Sequence, residues 1–162
     1  MVLKENTIIL IDISQFIKNR FQTGIQRVIK EFLLQCLKHN LNFKVLYFQN
    51  KQYFTLDNQN LNKFLSDIKN YSLNLSSKTD IFELSKNYQN KVFLELDSIW
   101  NEEENKRENL YAKLKKSNFT IINFIYDLIP IKFPYLMRDN TKKNFLPYIK
   151  SIIKYSDKII FD

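Results

Sequence analysis

The apolar positions run through the chain in two different rhythms. Thr7–Ile13 (TIILIDI) is a continuous apolar run of strand length. Continuity rather than alternation predicts a strand covered on both faces, as in a parallel sheet. A polar stretch, Ser14–Thr23, reads as a loop and leads into Gly24. From Ile25 the period changes: Ile25, Val28, Ile29, Phe32, Leu33, Cys36 and Leu37 fall on one face of a helix, with Gln26, Arg27, Lys30, Glu31, Gln35 and Lys38 on the other. Thr23 suits the N-cap, and Lys38 and His39 suit the negative pole at the other end, which is the role expected of His39. Phe43–Phe48 (FKVLYF) reads as a second strand, completing a β-loop-α-β unit.

The middle of the chain is less regular. Gln49–Leu56 fits either a hairpin arm or a loop, Leu61, Phe64, Leu65 and Ile68 have helical spacing, and Tyr71–Leu84 is rich in Ser and Asn and reads as loop with some short helix. Regularity then returns. Val92–Leu96 (VFLEL) is strand-like and ends at Asp97; Asn105–Lys116 is a charged helix with Leu110 and Leu114 inward; Thr120–Tyr126 (TIINFIY) is a strand running into Asp127. Pro130 and Pro134 end that strand and shape a loop, because proline donates no ladder hydrogen bond. Asp139–Tyr155 is helical, with Pro147 as a point of kinking or splitting, and Lys158–Phe161 (KIIF) starts one more strand. The order predicts one α/β domain over residues 1–162: an open, mostly parallel Rossmann-like sheet with helices on both faces.

Composition narrows the classes. With 44% hydrophobic and 15% aromatic residues, 162 residues suffice for a packed core. One Gly and three Pro argue against collagen-like chains and against a sandwich full of tight turns. Cys36 has no partner for an internal disulfide and reads as core filler. With one His beside it, a Cys/His zinc site is excluded, and no metal is expected. The N-terminal segment lacks a signal-peptide pattern and no stretch approaches membrane-spanning length, so a cytoplasmic chain is expected. The 25 basic and 17 acidic side chains leave a formal +8, which favours anionic partners. Only Arg20, Arg27, Arg107 and Arg138 are arginines, and they form no cluster of the kind that reads base edges, so nucleic acid is not the expected partner.

In such sheets ligands bind at the carboxyl ends of strands, beside helix N-termini. Three segments fall there. Asp12–Gly24 carries the only glycine at a helix start, where unpaired N–H groups favour a phosphate or carboxylate and Arg27 adds positive charge; Gly24 also reads as a plain turn residue. Asp97 and Asp127 both follow strands, where a carboxylate serves as a hydroxyl acceptor, a general base or simply a cap. Trp100, in Asp97-Ser98-Ile99-Trp100, either stacks on a sugar ring or fills the core.

Thr23-Gly24-Ile25-Gln26-Arg27-Val28, Asp97-Ser98-Ile99-Trp100 and Tyr126-Asp127-Leu128-Ile129-Pro130, with Pro134 beyond, together resemble the N-terminal half of bacterial GT-B glycosyltransferases of the family-4, group-1 type, which build capsule, lipopolysaccharide and surface glycans. The closing Tyr155-Ser156-Asp157-Lys158-Ile159-Ile160 also resembles the family's last N-domain helix and strand. The resemblance implies retaining transfer of a hexose from a nucleotide-sugar donor to a glycan or lipid-linked acceptor. It implies that Thr23, Gly24 and Arg27 face the donor phosphates and that Asp127 sits near the reacting sugar. Asp12, Asp97, Trp100 and Tyr126 would line the acceptor side of the cleft. Many relatives carry His where this chain has Tyr126. The nucleotide sugar is a co-substrate rather than a cofactor, and the family's second, donor-binding domain is not among these residues. The chain is therefore expected to be inactive alone, to pair with a C-terminal partner domain and to work peripherally at an anionic membrane surface. Two further readings remain open: a non-catalytic binding module of flavodoxin-like topology, and a subunit of a multi-chain assembly.

Overall fold

The computed structural model describes residues 6–20, 23–72, 78–100 and 107–161. In chain order the elements are β1 (Thr7–Asp12), α1 (Ser14–Asn19), α2 (Gly24–Lys38), β2 (Phe43–Gln49), β3 (Gln52–Leu56), α3 (Asn58–Ser66), β4 (Lys78–Thr79), α4 (Ile81–Ser85), β5 (Asn90–Glu95), α5 (Arg107–Lys116), β6 (Phe119–Ile125), α6 (Ile129–Lys132), α7 (Asp139–Tyr155) and β7 (Lys158–Phe161). A 3-10 turn, Pro134–Leu136, lies between α6 and α7.

The strands form one sheet in the order β4-β3-β2-β1-β5-β6-β7. The run from β2 to β7 is parallel throughout, and β3 and β4 extend it as antiparallel strands at one edge. β1 is buried along its whole length. Its side chains alternate between two cores because successive residues of a strand point to opposite faces. Ile9 and Ile11 join the residues of α1, α2 and α3 on one face, and Ile8 and Leu10 join those of α5 and α7 on the other. The fold is an open, mostly parallel Rossmann-like α/β sheet with helices on both faces. Taken alone, the parallel strands follow the order 2-1-3-4-5 that flavodoxin-type sheets share.

Local chemistry accounts for the departures from the sequence reading. Ser14–Thr23 is not loop throughout: Ser14–Asn19 is helix α1, with Phe16 and Ile17 buried beneath it, while Phe21 and Gln22 lie outside the described residues. Gln49–Leu56 takes the hairpin alternative. The turn residues Asn50 and Lys51 both have positive φ (50° and 60°), the backbone of a type I′ turn, made here without glycine. Tyr71–Leu84, of which residues 73–77 lie outside the described residues, contains the short strand β4 as well as helix α4. In α2 the buried stripe is Gln26, Ile29, Leu33 and Cys36, whereas Val28, expected inward, is exposed. Gln26 is held inward by the Thr23 hydroxyl, which donates to its Oε1. The Cys36 thiol is pushed up to about 11 by burial, consistent with inert packing. Helix α7 passes through Pro147 unbroken; the missing donor falls on its exposed side. The charged helix predicted from Asn105 is described from Arg107 onward.

No helix among the described residues is long and apolar enough to cross a membrane. Because α2 is held to the sheet by its apolar stripe, Leu33→Ala should lower the unfolding free energy by about 2–5 kcal/mol, read as a shift of the urea midpoint with unchanged slope.

Candidate functional site

The topology reverses between β1 and β5. The chain leaves β1 towards β2 on one side, and later elements build outward from β5 on the other. The carboxyl end of this pair is where open α/β sheets bind ligands. Asp12 at the end of β1 is in register with Glu95 of β5, and Glu95 with Asn123 of β6. Three polar side chains on neighbouring strands therefore converge within the sheet, all buried.

One cation holds this group together. Arg107, at the first turn of α5, is itself buried and reaches between the two strand ends. Its Nη2 lies 2.9 Å from Asp12 Oδ2 and its Nε 3.3 Å from Glu95 Oε2. Its Nη1 donates to the Tyr53 hydroxyl at 2.8 Å, and that hydroxyl donates to Asp12 Oδ2 at 3.0 Å, tying in β3. Glu95 Oε1 accepts from Tyr111 (2.6 Å) and Tyr148 (2.9 Å), tying in α5 and α7. The Tyr111 hydroxyl also lies 2.9 Å from Asn123 Oδ1. Burial opposes the Arg107 charge, but Glu95 first, then Tyr53 and Asp12, outweigh it and hold the guanidinium well above its ordinary value. Burial pushes Glu95 up to about 7, against the pull of Arg107 and the Tyr111 bond. Both tyrosines are raised well above the usual phenol range, by burial first and by the Glu95 charge second.

Asp97 closes the adjacent position. Its Oδ2 accepts from the Phe16 backbone N–H at 2.8 Å and its Oδ1 from that of Ser98 at 2.8 Å. Asp12 Oδ1 accepts from the Ser14 backbone N–H at 2.9 Å and from the Ser14 hydroxyl. The residue preceding α1, Ile13, has no capping side chain, so carboxylates from two strand ends cap this helix instead. Burial pushes Asp97 up to about 7 although the two N–H groups favour its charged form.

The residues singled out from sequence therefore divide. Asp12 and Asp97 face inward, at 0% and 2% exposure, and their oxygens are engaged by the protein itself. Trp100 packs edge-on against Phe145 (centroids 5.1 Å apart) and beside Tyr148, in the second core. The Tyr126 hydroxyl donates to the Leu96 carbonyl at 2.8 Å, pinning the end of β6 to that of β5. Asp127 is exposed, and its Oδ1 accepts from the Ile129 N–H at 2.9 Å at the start of α6. Thr23, Gly24 and Arg27 are exposed at the start of α2. Because α2 links two parallel strands, that start lies on the carboxyl side of the sheet, the side from which Tyr126–Pro130 leaves β6. Gly24 has no positive φ, and a Cβ there would meet no atom within 4 Å, so neither packing nor backbone geometry requires glycine. Sequence reading missed Glu95, Arg107, Tyr53, Tyr111 and Tyr148. A carboxylate inside the apolar VFLEL run was a visible signal, since a buried acid needs partners. Among the described residues, no group of His, Cys, Asp and Glu side chains could hold a metal ion.

Two expectations follow from the buried charges. Arg107→Met leaves Asp12 and Glu95 without their cation and should cost about 3–5 kcal/mol in denaturant unfolding. Unfolded Glu and Asp ionise near their ordinary values, 4.5 and 3.8, whereas burial makes folded Glu95 and Asp97 hold their protons up to about 7. Between those limits the unfolded chain has released protons that the folded chain keeps, so stability falls as pH rises towards 7 and levels off above it. Unfolding free energies measured at pH 5 and pH 8 should differ in that sense, and Glu95→Gln, which keeps an acceptor for both tyrosines, should shrink the difference.

No protein-family model matches the chain, and no curated protein does. Among solved structures it is similar to proximal thread matrix protein 1 of the mussel byssus, at 12% identity over 92% of this chain and 47% of that one, with a TM-score of 0.39. The chain spans about half the length of that protein, and a likeness so distant bears on neither fold nor function.

Proposed function

We propose that this chain is the acceptor-side domain of a retaining glycosyltransferase, passing a hexose from a nucleotide sugar to a surface glycan or lipid-linked acceptor, with donor binding supplied by a partner domain. The observation that carries the reading is that the two motif segments, Thr23–Arg27 and Tyr126–Pro130, a hundred positions apart in sequence, both lie on the carboxyl side of one parallel sheet. Open space at Gly24 suits close approach of a phosphate to the α2 N-terminus, with Arg27 one turn in. Asp127 is the exposed carboxylate of the three at strand ends, and it is the group assigned to the reacting sugar. Asp12 and Asp97 then act as positioning residues that fix the rim from inside. Tyr126, bonded to the Leu96 carbonyl, fixes the strand end from which Asp127 emerges.

A second reading is favoured by the 2-1-3-4-5 order of the parallel strands: a flavodoxin-type binding module without catalysis. Transfer of a labelled sugar, assayed with the chain alone and with a candidate donor-binding half, separates the two. The first reading expects turnover only with both halves. In the assembled enzyme, Asp127→Asn should lower transfer at least about tenfold while leaving the unfolding midpoint near wild type. Gly24→Trp should raise the KM for the nucleotide sugar with little change in stability. Ligand binding with no turnover in any combination would move the assignment to the binding module.

A further inference from the structure

Of the large apolar side chains exposed among the described residues, more than half lie between Ile129 and Leu136. Tyr135 is 74% exposed and meets Phe133 edge-to-face, with ring centroids 6.2 Å apart. The backbone beneath the two rings is braced. The Phe133 N–H donates to the Ile129 carbonyl at 2.7 Å, and the Leu136 and Met137 N–H groups donate to the carbonyls of Phe133 and Pro134 at 3.0 Å. Pro130 and Pro134 fix φ at the start of each short turn. Rings held towards water on such a frame add little to the core, and a patch of this kind marks a contact surface.

Position and charge narrow what it contacts. Helix α6 has four residues and is about 6 Å long. It starts beside Asp127, whose Oδ1 accepts from the Ile129 N–H. The rings therefore stand a short step beyond the exposed carboxylate assigned to the reacting sugar. A pyranose ring has an apolar C–H face and polar edges, and that face suits the negative π cloud of an aromatic ring. Between Ile129 and Lys143 the chain carries four basic side chains, Lys132, Arg138, Lys142 and Lys143, and one acid, Asp139. Lys142 takes Asp139. Lys132, Arg138 and Lys143 are exposed and have no ion pair among the described residues. A neutral sugar leaves these three charges unanswered. Sugars bearing carboxylates answer them, and the planar fork of Arg138 matches a carboxylate in shape.

We propose that Phe133 and Tyr135 form the binding platform for an acidic glycan acceptor, one whose sugars carry carboxylates, with the rings against the sugar faces and Lys132, Arg138 and Lys143 on the carboxylates. The inference rests on the glycosyltransferase reading for the identity of this rim as the acceptor side. Its test measures binding without donor or transfer, so the two fail separately.

The test is titration of the purified chain with oligogalacturonate and with oligomannuronate, followed by calorimetry and by amide NMR shifts. Maltooligosaccharide of equal length, polyglutamate and oligo-dT are titrated beside them. At least one uronate should bind, more weakly as salt is added, with the shifts concentrated in residues 131–138. The neutral sugar and both other polyanions should bind at least about tenfold more weakly. Tyr135→Ala should weaken uronate binding about fivefold to tenfold, whereas Tyr135→Phe, which keeps the ring, should stay within about twofold of wild type. Arg138→Gln should weaken it about tenfold. Lys38→Gln, at the far end of α2 on the amino side of the sheet, should leave it near wild type. Circular dichroism checks that each variant is folded. Failure of both uronates to bind, equal binding of the neutral sugar, or wild-type binding by Tyr135→Ala would each overturn the proposal. Equal or tighter binding of polyglutamate or oligo-dT would also overturn it, in favour of an acidic protein or a nucleic acid. Uronate binding as expected, with no transfer from any combination of halves, would keep the glycan site and sink the transferase reading alone.

Discussion

The sheet depends on one guanidinium. Arg107 is the cation placed between the ends of β1 and β5, and through Asp12, Glu95 and the tyrosines around them it links β1, β3, β5, α5 and α7. These strands end where the topology reverses: the chain leaves β1 for β2 rather than for β5, and beyond the ladder that pairs Asp12 with Glu95 it is side chains that join the two ends. Buried pairs of this kind are weak sources of net stability, because desolvation offsets attraction, but they punish alternatives strongly. A slip of β5 against β1 would carry Glu95 away from Arg107 and leave a buried charge unmatched. The cluster therefore specifies register more than it adds stability, and register decides which residues emerge at the rim.

The same economy of charge explains why the usual anion position of such a fold is filled from within. A helix following the first strand presents free N–H groups at the switch point. Here that helix is α1, and Asp97 and Asp12 supply its acceptors. In the proposed glycosyltransferase reading, a donor phosphate would instead meet the next helix start, at Thr23 and Gly24. The glycosyltransferase reading relies on that second helix, where Gly24 and Arg27 are exposed and the N-cap residue makes no side-chain cap bond.

What could be read from sequence follows how local the cause is. β1 was legible because burial on both faces leaves a continuous apolar run. α2 was legible from its period, since Ile29, Leu33 and Cys36 are inward as the spacing implies, but Gln26 joins the buried stripe with a bond from Thr23 that hydrophobicity does not foretell. α1 was hidden because one of its caps, Asp97, lies 81 residues from the N–H it accepts. Arg107 lies on the same helical stripe as Leu110 and Leu114, so its inward position was implied by the spacing, yet its partner Asp12 is 95 residues away. Spacing identifies an inward residue, whereas only the sheet order identifies what it meets there.

This difference also sorts the carboxylates. An acid that reaches the interior must be matched by donors, and Asp12, Glu95 and Asp97 each are, so their presence is explained without any ligand. Gly24 and Asp127 are not explained to the same degree. Nothing in the packing demands glycine at 24, and the Asp127 cap serves a four-residue helix on the surface. A folding constraint fully accounts for the buried three and only lightly for the exposed two, which makes the exposed two the places where selection for chemistry has room to act.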